Sequence, residues 1–342
     1  MPDKAQEVLE KYLREIENNA FGRRELAYLH LGQNRLDLAA KELEAAETLA
    51  PDDYSNRVLR ASWLVRKGDL AEAEAAYRAL VGEKTPAARY SGYRGLGNLL
   101  ILEGRDRELI KIVAPLAEQF KKSGLPDLER TCHESLARAY LISGRTEAAR
   151  NECRKAFAID TGNTDFGNKR SVIHLRGLIH LASNRIDEAE ITAGELKAFI
   201  EKGLNKKAIR LYDHLMGAIE LKRKNFSRAV EYLERAERSL PYGRYEKAAW
   251  ILDTLALTYF SSGDLEKARE KYEHITALTT GRLSYGDIYA RAFYRLGQIH
   301  EKLGDKAKAR ENYAKFLELW KDADPGFSEV EDARKRLEVL GK

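Results

Sequence analysis

The sequence predicts an all-α fold, a stack of about eight helical hairpins, and three observations carry that reading. A hinge residue recurs at Asn34, Gly68, Gly104, Gly144, Asn184, Lys224, Gly263 and Gly304, at spacings of 34, 36, 40, 40, 40, 39 and 41 residues. Seven of the eight are Gly or Asn, the types that tolerate a left-handed backbone just past a helix end. Small residues precede each hinge by seven positions: Ala27, Ala61, Gly97, Ala137, Gly177, Gly217, Ala256 and Gly297. Gly and Ala together make up about one residue in five, so composition does not place eight of eight there. Five positions after the hinges stand Ala39, Ala73, Leu109, Ala149, Ala189, Ala229, Ala268 and Ala309. Small side chains at fixed helical positions let two backbones approach closely, and a fixed period of this length marks stacked hairpins.

The unit is clearest over residues 249–280. An apolar helical pattern runs to Phe260, breaks at Ser262-Gly263-Asp264, and resumes from Leu265 to Leu278. In chain order, residues 1–19 read as an amphipathic helix covering the first repeat. The eight repeats occupy 20–321, the first two being short and regular at 20–51 and 54–85. Thr85-Pro86 marks a break. The third repeat departs from the pattern, with Leu109 in place of the downstream alanine and Pro115 inside its second helix. That proline removes a backbone hydrogen bond and is expected to kink the helix. Connectors are expected around residues 121–127, 161–168, 203–207, 241–245 and 280–286, each holding Gly, Pro or Asn. Residues 327–340 read as a capping helix whose outer face meets water. The whole of 1–342 is expected to be one solenoid domain.

Leu255, Ala256, Tyr259, Ala268 and Tyr272, with Pro51 and Pro241 as terminal prolines, resemble the tetratricopeptide repeat family. The resemblance covers roughly 20–321. The later spacing near 40 departs from the family's usual 34 and looks more like the lengthened repeats of bacterial sensor and scaffold arrays. Residues 312–325 (NYAKFLELWKDADP) are similar to the closing repeat of arrays attached to bacterial signalling proteins. The resemblance implies a right-handed superhelical solenoid with a concave, partner-binding groove.

Charged residues at 33% and hydrophobic residues at 44% fit long amphipathic helices rather than disorder. No run of 18 apolar residues suggests a membrane span, and the N-terminus lacks an apolar signal core. Cys132 and Cys153 are the only cysteines and form no CxxC pair, so a reducing, cytoplasmic setting is expected. Cys153 stands where Tyr272 and Tyr313 stand in their repeats and reads as packing. The net charge of +5 is concentrated in residues 197–228, where nine Lys or Arg oppose Glu201, Asp213 and Glu220.

No phosphate loop, dinucleotide fingerprint, zinc-protease motif or nucleophile elbow occurs, so no enzyme, cofactor or metal is expected. His30, His180 and His300 stand four residues before a hinge, where Tyr140 and Tyr259 stand in other repeats, and read as intra-repeat packing. At 100° per residue, positions 13, 10, 6 and 3 before each hinge share one face, which in the resembled family lines the groove. On it Arg94 and Asn98 in one repeat and Arg138 in the next resemble part of a carboxylate clamp. Leu178, Leu181, Leu221, Trp250, Leu257 and Phe260 give an apolar stripe, with His174, His214, Asp253 and Tyr294 on the same face. The function read from this is a non-catalytic scaffold binding a peptide, helix or partner domain. The alternative is the sensor array of a larger bacterial signalling or transcription-control protein. An acidic partner on 197–228 is a further reading. Nucleic acid is disfavoured there because aromatics are not interleaved with the charges. A homo-oligomer is compatible with the pattern, and no membrane partner is expected.

Overall fold

In the computed structural model, which describes residues 2–16, 19–159, 166–240, 249–278 and 284–341, the described residues form helices and turns and no strand. Residues 1–100 with 278–286 make one compact unit, and residues 101–277 with 287–342 a second. The expected connectors at 241–245, most of those at 161–168 and 280–286, and Pro241 lie outside the described residues.

The first unit contains α1 (Pro2–Glu15), α2 (Ala20–Gly32), α3 (Leu36–Leu49), α4 (Tyr54–Lys67), α5 (Leu70–Val81) and most of α6 (Pro86–Leu102). Helix α1 packs on α2, where a Cβ on Gly22 would come within 2.8 Å of Leu13. Ala27, Leu31, Ala39, Leu43 and Leu59 form its core, with Trp63 donating its indole N–H to the Leu36 carbonyl at 2.9 Å.

The second unit runs through α7 (Asp106–Lys122), α8 (Pro126–Ile142), α9 (Thr146–Ala158), α10 (Phe166–Ala182), α11 (Ile186–Lys202) and α12 (Ile209–Lys222). It continues through α13 (Phe226–Arg238), α14 (Ala249–Ser262), α15 (Leu265–Ala277), α16 (Gly286–Lys302), α17 (Lys306–Leu319) and α18 (Ser328–Leu340). Helix α7 continues through Pro115 for all of its 17 residues. Consecutive helices pack in pairs, and the first helices of successive hairpins also touch, α8 on α10, α10 on α12 and α12 on α14. These first helices therefore build one wall of the unit.

The hinges explain the period. All eight have positive φ, from +58° at Asn34 and Asn184 to +100° at Gly68. Lys224 adopts +63° even though an L side chain with a Cβ resists that region, so the period and not the residue type identifies this hinge. Seven hinges close with the bond a left-handed helix end provides, from the residue after the hinge to the carbonyl four before it, as in Asp264 N–H to Tyr259 at 2.9 Å. The residues predicted to be close contacts are close. A Cβ at Gly177, Gly217 or Gly297 would meet Leu215 at 2.4 Å, Leu233 at 2.5 Å or the Tyr313 ring at 2.6 Å. Ala268 is fully buried. Ala268→Leu should force α14 and α15 apart and cost about 1–3 kcal/mol. Ala277→Leu, on an exposed position of α15, should stay within about 0.5 kcal/mol of the parent. The reverse order in denaturant unfolding would show that the hinge register is misplaced.

The second unit also closes on itself. The Trp320 indole N–H donates to the Leu102 carbonyl at 3.0 Å, and the Asp324 amide to the Gly104 carbonyl at 2.9 Å. The Arg107 amide, in the first turn of α7, donates to the Asp324 carboxylate at 2.6 Å. The capping helix α18 supplies Val330 and Ala333, and the turn before it Phe327, to a core shared with Trp320, Phe316 and Tyr313.

Candidate functional site

The wall of first helices carries a row of side chains one repeat apart. His174 of α10 and His214 of α12 lie with Nε2 and Nδ1 at 2.9 Å, and His214 Nε2 is 2.9 Å from the Thr254 hydroxyl of α14. Thr254 uses its one proton on the Trp250 carbonyl at 3.0 Å. It therefore accepts from His214 Nε2–H, and His214 Nδ1 in turn accepts from His174 Nε2–H. Both tautomers follow from that one hydroxyl. The Trp250 ring stands edge-on to His214, with centroids 4.3 Å apart, and 5.0 Å from His174. Burial holds the His214 imidazole down at about 3. Burial, then the neighbouring His214 and Arg138 charges, hold His174 well below its ordinary range. At neutral pH the row is uncharged.

Around this row the predicted groove residues separate into supports and surface. His174 and His214 are buried and act as the backing of the wall. Leu178 is half-buried and packs on the core of α10–α12, while Leu181 is buried in it. Leu221, Trp250, Leu257 and Phe260 are half-buried, with the Lys302 ammonium 4.8 Å from the Phe260 ring centroid. Asp253 sits on the same helix as Trp250. Burial raises its carboxyl to about 6, against the opposing charges of Arg295 and Arg291. Tyr294 faces the capping helix, donating to Asp332 at 2.7 Å and accepting from Gln298 at 2.8 Å. Arg138 is exposed in the second unit; Arg94 is exposed and Asn98 half-buried in the first.

Sequence reasoning missed Thr254, which lies one position off the groove rows and reaches the row through its hydroxyl. It also missed Tyr232. That ring meets Tyr212 edge-on at 6.3 Å and carries Arg235 at 4.7 Å, so an aromatic from outside 197–228 joins the basic segment. Part of that segment's charge is already matched, since Arg223 pairs with Glu190 at 2.6 Å and with the buried Glu220 at 3.5 Å. Cys153 is a free, buried thiol, raised by burial to about 12 and facing the Val172 carbonyl. His30 and His300 are buried and His180 is half-buried. Among the described residues no group of three or more His, Cys, Asp or Glu is placed to hold a metal ion. No described helix is long and apolar enough to cross a membrane.

Comparison with known proteins places these hairpins. Tetratricopeptide repeat family models match residues 24–89 and 248–322. The human Intraflagellar transport protein 88 homolog is 25% identical over 102 residues, which is 30% of this chain and 11% of that protein. The Rap protein complexed with competence and sporulation factor superposes with a TM-score of 0.53 at 11% identity, over 94% of this chain and 97% of that one. A Signal Transduction ATPase with Numerous Domains protein with a tetratricopeptide repeat sensor, from Pyrococcus horikoshii, gives 0.50 at 13% identity, over 94% of this chain and 50% of that one. The matched segments are tetratricopeptide repeats, and the same period and hinge geometry run through the residues between them.

Proposed function

We propose that the chain is a non-catalytic scaffold that binds a peptide or an amphipathic helix of a protein partner against the first-helix wall of its second unit. The observation that carries this reading is the layered construction of that wall. A neutral, hydrogen-bonded His174–His214–Thr254 row packs against half-buried Trp250, and the same helices α12 and α14 carry half-buried Leu221, Leu257 and Phe260. Rigid backing under partly exposed apolar side chains lowers the ordering cost of binding, and a few such anchors dominate interface energies. Trp250, Leu257 and Phe260 are spaced seven and three apart, so they present one face of α14. The similarity to the Rap protein supports the fold of such a binder, and the nature of the partner rests on the wall itself. On this reading Asp253 selects a partner with a basic or hydrogen-bonding side chain near Trp250, and Arg138 of the same unit engages a backbone or carboxylate group. The protein works in the cytoplasm.

The test is capture of partners from native lysate, with quantitative mass spectrometry of the same proteins across variants. Leu257→Asp with Phe260→Asp should abolish capture of the main partner and leave helical content unchanged. Reversal of charge at Lys206, Lys207 and Lys224 should weaken it a few-fold, more at low salt than at high. Normal capture by the groove double variant, with loss on charge reversal, would move the partner to the basic segment.

A further inference from the structure

Where the second unit closes on itself, a cleft of about 210 Å³ lies between three turns. Its walls are Arg107 at the start of α7, Ser143 and Arg145 between α8 and α9, and Asp324 to Phe327 between α17 and α18. The volume is far above the roughly 15 Å³ that one water requires and below the roughly 300 Å³ at which drug-sized sites begin. It suits one small ionic group.

The polar groups of the cleft are unequally satisfied. The Asp324 carboxylate already accepts the Arg107 amide, and Ser143 donates to the Ala139 carbonyl at 2.8 Å. The two guanidinium groups are left. Arg107 reaches only the Pro325 carbonyl, at 3.3 Å, and Arg145 lies over the Tyr140 ring at 4.7 Å. Neither pairs with a carboxylate among the described residues. Their neighbours do: Arg105 bridges Glu103 and Glu108, and Arg150 pairs with Glu147. Arg107, Arg145, Pro325 and Gly326 are exposed, so the cleft opens to solvent.

We propose that this cleft is an anion site, separate from the first-helix wall, that takes a carboxylate or phosphate group between Arg107 and Arg145. An oxyanion accepts from both guanidiniums in charge-assisted bonds, and their two positive charges outweigh the one carboxylate of the lining, that of Asp324. The bound group touches the first helix of the unit, the α8–α9 turn and the turn before the capping helix at once. Its binding therefore fastens the closure, and by mass action raises the melting temperature of the second unit.

The experiment titrates the full chain with inorganic phosphate and, separately, with succinate, by calorimetry and thermal melting at an ionic strength fixed with chloride. Arg107→Gln, Arg145→Gln and the double variant are compared with Arg150→Gln, whose side chain lies outside the cleft. Saturable binding with a rising melting temperature is expected. Each cleft substitution should weaken it about tenfold or more, the pair should abolish it, and Arg150→Gln should leave it unchanged. Binding of phosphate alone assigns a phosphorylated ligand, succinate alone a carboxylate ligand, and both the shared oxyanion chemistry. Arg145 is exposed and holds no side-chain hydrogen bond, so Arg145→Gln keeps the test valid if the double variant fails to fold. No saturable effect beyond chloride, or binding that survives in Arg145→Gln and the double variant alike, overturns the proposal. The Leu257→Asp, Phe260→Asp protein should bind the anion normally, so failure here and failure of the scaffold reading are separable.

Discussion

Trp320→Ala should destabilise the second unit by about 3–5 kcal/mol, the range seen when a large buried aromatic is truncated. The ring is 1% exposed and packs 5.0 Å from Phe316 and 4.6 Å from Phe327, with the Arg291 guanidinium 5.1 Å from its centroid. Removing it leaves a cavity among those rings and strips the Leu102 carbonyl of its donor. The loss should be local in a specific way. The amides of Asp324 and Arg107, which donate across the closure, should lose protection from hydrogen exchange, while amides of residues 20–80 keep theirs. Trp320→Phe keeps most of the packing and should lose about 1–2 kcal/mol, chiefly the hydrogen bond. Trp63→Ala should cost less than Trp320→Ala, because Trp63 is only half-buried, although its indole also bonds to a carbonyl, that of Leu36. A Trp320→Ala protein within about 1 kcal/mol of the parent, or with Asp324 still protected, would show that the closure contributes little.

The closure was invisible in the sequence for a physical reason. Its hydrogen bonds join residues 217 to 220 positions apart, and nothing in local composition encodes such a pairing. Gly104 read as one hinge among eight, yet its missing Cβ has a second use. A Cβ there would stand 3.1 Å from the Trp320 ring and 3.0 Å from Ala323. Asp106 stands in the first turn of α7. In the fold it has no exposure and both carboxylate oxygens lack a partner, with Asp287, Asp324 and Arg291 as its charged surroundings.

What was legible was whatever repeats. The need for a left-handed residue after each first helix leaves Gly or Asn behind, and the contact between paired helices leaves Ala or Gly. Lys224 shows the limit of residue type and the strength of the period, since only its place in the series marked it. The shared face of successive first helices was legible by the same route. His174 and His214 are 40 positions apart, one repeat length, so a shared face becomes a shared contact. Their burial was not legible, because it depends on how closely α10, α12 and α14 approach each other. Angular position on a helix gives the direction of a side chain and not its depth.

The buried titratable groups make opposing contributions to acid stability, and single variants should separate them. His214, ordinarily near 6.5, is held at about 3 in the fold. Between those values the unfolded chain binds the proton and the folded one does not, so this histidine removes stability as pH falls from 6.5 towards 3. His174, lowered by the same burial, has the same sign. Asp253 and Asp106 act the other way. Burial raises them from 3.8 to about 6 and about 7, so the folded state binds the proton first and stability grows as pH falls through those values. Other groups titrate alongside them, since burial also lowers His180 and His300 while Asp53, Glu152 and Asp332 are lowered too, so each variant is read as a difference from the parent. His214→Asn removes one destabilising titration and should make stability relative to the parent rise as pH falls from about 6 to about 4.5. Asp253→Asn removes one stabilising titration and should make it fall. Each slope should approach about 1.4 kcal/mol per pH unit, the value for one proton. Denaturant unfolding of the three proteins at about pH 4.5, 5.2 and 6 reads the slopes directly. Slopes of the same sign in the two variants would mean that the histidine row is not held neutral by its burial.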